Sequence, residues 1–188
     1  TLLGSYQNEN LCSHKSLHTN IYKSFIHNCL KILNYSTFSS IGKWIHVFGG
    51  SYKNDIQNSN IKINSQNGDV VELEKMLNPC EKFGLTSFKN FDQDFLIAAG
   101  GINENGISRQ VQIYSVNEDS WKEGPELEEA NFNNEVVSCY DSVMVIGGRN
   151  SSIEELKTVQ FLNYDREEWL TCNQTNHSYS DFGATFYN

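Results

Sequence analysis

Three glycine pairs, Gly49-Gly50, Gly100-Gly101 and Gly147-Gly148, stand 51 and 47 residues apart, and a short apolar run leads into each of them. The runs read WIHVFGG, FLIAAGG and VMVIGG, and polar turn-forming residues open each one: Gly42-Lys43, Asp92-Gln93-Asp94 and Asp141-Ser142. An apolar run of this length that ends on glycine predicts a buried strand. Roughly ten polar residues follow each pair before a further strand pattern: IKIN at 61–64, VQIY at 111–114 and VQFL at 159–162. After a short turn comes a fourth segment, VVELE at 70–74, SWKEG at 120–124 and EEWLT at 167–171. Upstream of each apolar run lies another alternating stretch: TFSSI at 37–41, GLTSF at 84–88 and EVVSCY at 135–140. Helix competes only over Val71–Leu77, where Pro79 closes it off.

Four short strands in a period near fifty residues predict the blades of a β-propeller. The stretches VQIYSVNEDSW (111–121) and VQFLNYDREEW (159–169) carry the period most plainly, each opening on Val-Gln and closing on Trp. The glycine pair, Tyr114 and Trp121 seven residues later resemble the kelch repeat. The resemblance covers about residues 36–188. It implies an all-β fold, a kelch-type β-propeller segment of four-stranded antiparallel blades. Its repeat signature is Gly49, Gly50, Gly100, Gly101, Tyr114, Trp121, Gly147, Gly148 and Trp169.

The units depart from that signature in places. In the first, Val71 is read at the Trp position and Asn64 at the Tyr position. In the third, Leu162 replaces Tyr, with Tyr164 two residues on and so on the same strand face. Asn131 stands where the motif usually has Arg before the inner strand. Blades are expected over 36–83, 84–134 and 135–177, with the inner strand of a further blade at 178–188. Residues 1–35 read as part of a preceding blade or the tail of an upstream domain. An open stack of blades leaves faces and edges unpaired. The chain is therefore expected to be part of a larger propeller, completed by further blades from a longer chain or another subunit.

Charge and composition narrow the function. A net charge of -9 and a pI near 5.0 argue against nucleic-acid binding, which needs a basic face. No apolar run approaches the roughly 18–20 residues of a membrane span. Cys12, Cys29, Cys80, Cys139 and Cys172 are odd in number and widely spaced, which predicts reduced thiols. A cytoplasmic location follows as an expectation, free or associated with the cytoskeleton. Cys12, His14, His18, His27 and Cys29 concentrate metal-ligand types, but they lack the paired short spacing of structural zinc sites, so no metal is expected. No nucleophile elbow, phosphate-binding loop or His-Glu-x-x-His is present, so no catalytic residue and no cofactor is expected. The acidic stretch 123–135 reads as a solvated connection.

What remains is loop surface on a rigid scaffold. The loops after the glycine pairs are 51–60, 102–110 and 149–158. The kelch resemblance implies that they share one side of the molecule with the connections between blades, and that a protein or peptide partner binds there. Tyr52, Lys53, Asn103, Arg109, Arg149 and Asn150 are the candidate contacts. The same resemblance implies a non-catalytic interaction module, serving as a ubiquitin-ligase substrate adaptor or a cytoskeletal binder. The alternatives are a propeller-scaffold enzyme (an oxidase or a sugar-modifying enzyme) and a structural component of a cytoskeletal or ciliary assembly.

Overall fold

The computed structural model describes residues 33–90, 92–139, 142–163, 166–172 and 174–185. The expectation of a partial blade over 1–35 falls almost wholly outside these residues. So do Tyr164 and the ligand-type residues Cys12, His14, His18, His27 and Cys29.

The described residues form three four-stranded antiparallel sheets and no helix. The first holds β1 (Thr37–Ile41), β2 (Trp44–Phe48), β5 (Asn60–Asn64) and β6 (Val70–Glu72), with a small hairpin of β3 (Ser51–Tyr52) and β4 (Asp55–Ile56) between β2 and β5. The second holds β7 (Gly84–Asn90), β8 (Gln93–Ala99), β11 (Val111–Ser115) and β12 (Ser120–Glu123), again with a small hairpin, β9 (Ile102–Asn103) and β10 (Gly106–Ile107). The third holds β13 (Glu135–Cys139), β14 (Ser142–Ile146), β15 (Val159–Asn163) and β16 (Glu168–Thr171); an Arg149–Glu155 bridge takes the hairpin's place. The first strands stand side by side, β7 between β1 and β13. This is the inner wall of a propeller segment.

The apolar runs are continuous because both of their faces are buried. Along β8, Leu96 and Ala98 pack with Phe48, Met76 and Tyr114 of the first interface, whereas Ile97 and Ala99 pack with Val136, Val143, Val145 and Trp169 of the second. Alternation along the strand thus splits one run between two cores. The blades also differ in length. β7 and β8 have seven residues each where their counterparts in the other blades have five. The added hairpin end is capped by Phe88 stacked on Phe95, with ring centroids 5.4 Å apart.

The register corrects one reading of the first unit. Tyr114 faces Trp121 and Leu162 faces Trp169 across their strand pairs, but the matching pair in the first blade is Ile63 with Val70. Asn64 and Val71 are therefore one residue out of step with the signature. On the outer strand the pleat marks the difference: Val70 is half-buried, whereas Val71 is exposed.

Candidate partner-docking face

The outer strands of the second and third blades reach back to the blade before them. The Trp121 indole N–H donates to the Glu74 carbonyl at 2.9 Å, and that of Trp169 to the Pro125 carbonyl at 2.8 Å. The two tryptophans therefore make the same bond to the blade before, Trp169 buried and Trp121 partly so. The repeated Val-Gln has the same logic. Gln112 receives the Asn78 N–H (3.0 Å) on its Oε1 and donates from Nε2 to the Asn78 carbonyl (3.2 Å), while Gln160 receives the Glu128 N–H at 2.7 Å. Backbone of the preceding blade satisfies both ends of the Gln112 amide and the oxygen of Gln160, whose Nε2 is left without a partner.

Each glycine pair reaches forward. The N–H groups of Gly50, Gly101 and Gly148 donate to the carbonyls of Cys80, Asn131 and Tyr179, at 2.8, 2.7 and 2.8 Å. The next residue bridges to the connection entering its own blade: Ser51 to Asn34, Ile102 to Glu81, Arg149 to Phe132. Every loop after a glycine pair is thereby bolted to two inter-blade connections on the same side of the molecule.

Those connections carry a repeat that residue identities conceal. Tyr35, Lys82, Asn133 and Asp181 all adopt left-handed backbone, with φ of 57°, 57°, 54° and 54°. Their backbones form a ladder around the inner wall. The N–H of Lys82 donates to the Tyr35 carbonyl (3.4 Å), that of Asn133 to Lys82 (2.8 Å) and that of Asp181 to Asn133 (3.1 Å). Asp181 thus takes the position that precedes an inner strand in the other three units. Asn and Asp tolerate this conformation well, so two of the four positions carried a weak sequence signal; Tyr35 and Lys82 carried none.

The six candidate contacts differ in availability. Tyr52 is 59% exposed, and Lys53 lies over its ring at 5.2 Å, at the tip of a two-residue turn in which Lys53 and Asn54 both have positive φ. Asn103 and Asn150 shape turns. Oδ1 of Asn103 accepts the Asn105 N–H, and that of Asn150 accepts the Ser152 and Glu154 N–H groups. The two arginines are engaged within the chain. Arg109 Nε donates to the Leu127 carbonyl at 2.6 Å and its Nη2 pairs with Glu126; Arg149 binds Ser180, Glu155 and Asp181. Two exposed apolar residues on this side were not among the candidates: Ile153, 64% exposed, and Tyr179, 41% exposed. Ile153 has φ +62°, a costly conformation for a β-branched side chain. Only the backbone exposes that.

Two ionisable groups, buried His46 and half-buried Glu135, make stability depend on pH in opposite senses. Burial, helped by Lys62, lowers His46 to about 4, and neither ring nitrogen has a hydrogen-bond partner. Burial raises Glu135 to about 7, against the Ala184 N–H that favours its charge. The unfolded chain binds the His46 proton more readily between about pH 4 and 6.5, so His46 adds stability as pH rises through that window. Glu135 is the reverse: the folded state holds its proton, and stability is lost as pH rises from about 4.5 through 7. Urea titrations should therefore show stability climbing with pH in Glu135→Gln and falling with pH in His46→Leu. Each slope should total about 2 kcal/mol after allowance for solvent access. A wild-type-like profile in either variant would remove that residue as the cause. Burial also pushes the Cys80 thiol up to about 12, which leaves it unreactive near neutral pH.

Sheet order, glycine-pair clamps and the tryptophan contacts together define a kelch-type β-propeller segment. Its repeats are similar to kelch repeats, and the relatives found by sequence carry that name. The chain is 29% identical over 138 residues, 73% of its length, to Kelch repeat and BTB domain-containing protein 2 of Ectromelia virus (strain Moscow). It is 27% identical over 137 residues to the protein of the same name from Cowpox virus (strain GRI-90 / Grishak). The chain spans 23% and 24% of the length of these two relatives. No family model matches. Among solved structures, that of YjhT aligns with a TM-score of 0.65 at 13% identity, covering 79% of this chain and 53% of that one. At that identity the likeness bears on the fold alone.

Proposed function

We propose that the chain is a non-catalytic protein-interaction module that docks a protein or peptide partner on the side formed by its glycine-pair loops and inter-blade connections. One observation carries the reading: three loops are fixed to their flanking connections by the same backbone bonds, on the side where Tyr52, Ile153 and Tyr179 are left exposed. A rigid frame presenting a few large side chains keeps the ordering cost of binding low. The names of the poxvirus relatives, which pair kelch repeats with a BTB domain, favour service as a substrate adaptor for a ubiquitin ligase over a cytoskeletal role. The cytoplasm is the proposed site of action.

Quantitative affinity capture from cells expressing the tagged chain tests this. Partners enriched by wild type should fall at least tenfold with Tyr52→Ala combined with Ile153→Ser. They should persist with Val71→Ser, which alters an exposed apolar residue on the outer strand β6, outside these loops and connections. Equal enrichment by all three proteins would end the proposal.

A further inference from the structure

Between the inner strands β7 and β13 and residues 184–185 lies a groove of about 300 Å³. Thr86, Ser87, Ser138 and Thr185 line it together with Glu135, and no lysine or arginine lines it among the described residues. Position 135 is unlike its counterpart in the preceding blade. There the residue is Gly84, where a Cβ would collide with Asn134 and Val136 of the next blade. In the third blade the residue is glutamate, and Ala184 stands where Val136 stands one blade earlier. The first blade also carries a side chain at this position, Thr37, but only at this boundary is the room filled with a carboxylate. Glu135 accepts the Ala184 N–H and has no ion pair among the described residues. A partly buried carboxylate without a counter-charge is unfavourable unless something supplies one.

We infer that this groove is a subsite for a single ammonium or guanidinium group, the basic side chain of a docked partner, with Glu135 as its counter-ion and the surrounding hydroxyls as further acceptors. Lysine and arginine heads are donors only, so a lining of hydroxyl oxygens around one carboxylate matches their needs. Glu135 follows Asn134, which packs beneath the Gly148 loop, so the Glu135 end of the groove adjoins the docking side. The chain's net charge of -9 favours the approach of a basic segment. The raised proton affinity of Glu135 agrees with a site that lacks its cation.

The test uses the whole chain and needs no partner. The Glu135 carboxyl is followed by carbon NMR through a pH titration, with methylguanidinium or methylammonium chloride as probe and tetramethylammonium chloride as the control without N–H donors. At ten times its dissociation constant, a probe that binds only the ionised form should lower the Glu135 midpoint by about one unit. The amide signals of Ser87 and Ser138 should move saturably, and Glu135→Gln should abolish both effects. An equal response to tetramethylammonium, a shift that never saturates, or unchanged probe binding in Glu135→Gln would overturn the assignment. Should Glu135→Gln not fold, the wild-type comparison of the three salts still decides. The assignment rests on the docking face proposed above, and the two fail separately. A groove that ignores the probes leaves the face intact, whereas capture unaffected by the loop variants leaves a cation site without a partner.

Discussion

Trp169→Ala should lower the stability of the chain by about 4 kcal/mol in urea unfolding, one of the largest effects of any single side-chain truncation. Trp169 is 2% exposed and packs into the core that joins the second and third blades. Its indole N–H also satisfies the Pro125 carbonyl of the blade before. Truncation removes both and leaves a cavity at the seam. Trp169→Phe separates the terms: most of the area stays while the hydrogen bond goes, for a loss of about 1–2 kcal/mol. Trp121→Ala should cost less than Trp169→Ala, because Trp121 is only partly buried. A Trp169→Ala protein within about 1 kcal/mol of wild type would show that the blades do not depend on this seam.

Gly100→Ala should be at least as damaging, although it adds a single methyl group. The residue has φ +71°, and a Cβ there would lie 2.5 Å from Asn131 Oδ1 and 2.6 Å from its carbonyl oxygen. The carbonyl is held in place because it accepts the Gly101 N–H. The carbonyl cannot yield without breaking the clamp between blades, and Oδ1 cannot without losing its bond from Asn134, so a loss above about 3 kcal/mol is expected. Gly42→Ala is the control. Gly42 also has positive φ, at +56°, but open space surrounds it, and only the conformational cost of about 1 kcal/mol should appear. Thermal melts followed by circular dichroism give both values. Similar losses in the two variants would mean that backbone conformation, rather than docking, is what the glycine pairs provide.

The architecture was largely legible in the sequence because its causes are local and repeated. Doubly buried strands had to be apolar throughout, and the pairs that end them had to be glycine because a carbonyl of the next connection lies against each. The same reasoning slipped by one residue in the first blade. Asn64 and Val71 looked like the signature positions, but a two-residue alternation fixes faces only once the register is known, and pairing places Ile63 opposite Val70. Less of the candidate site could be read. Composition marks Arg109 and Arg149 as binding residues, yet their donors are taken up by Leu127, Ser180 and Glu155. Ile153 gave no sign of its exposure, since an isolated isoleucine in a polar loop carries no period. Glu135 closed an acidic stretch, 123–135, that read as a solvated connection, but it opens β13 half-buried, and its counterpart Gly84 shows the space made for it.

The longer β7–β8 hairpin has a consequence for how such a chain can diverge. Its four added residues all lie at the end away from the glycine pairs, and the spacing between clamps is absorbed there without disturbing any bond on the clamped side. One rim of the molecule is thus free to lengthen over evolutionary time, while the other must keep the bonds that clamp each blade to the next. Novel shapes will accumulate on the first, and inherited recognition will be preserved on the second.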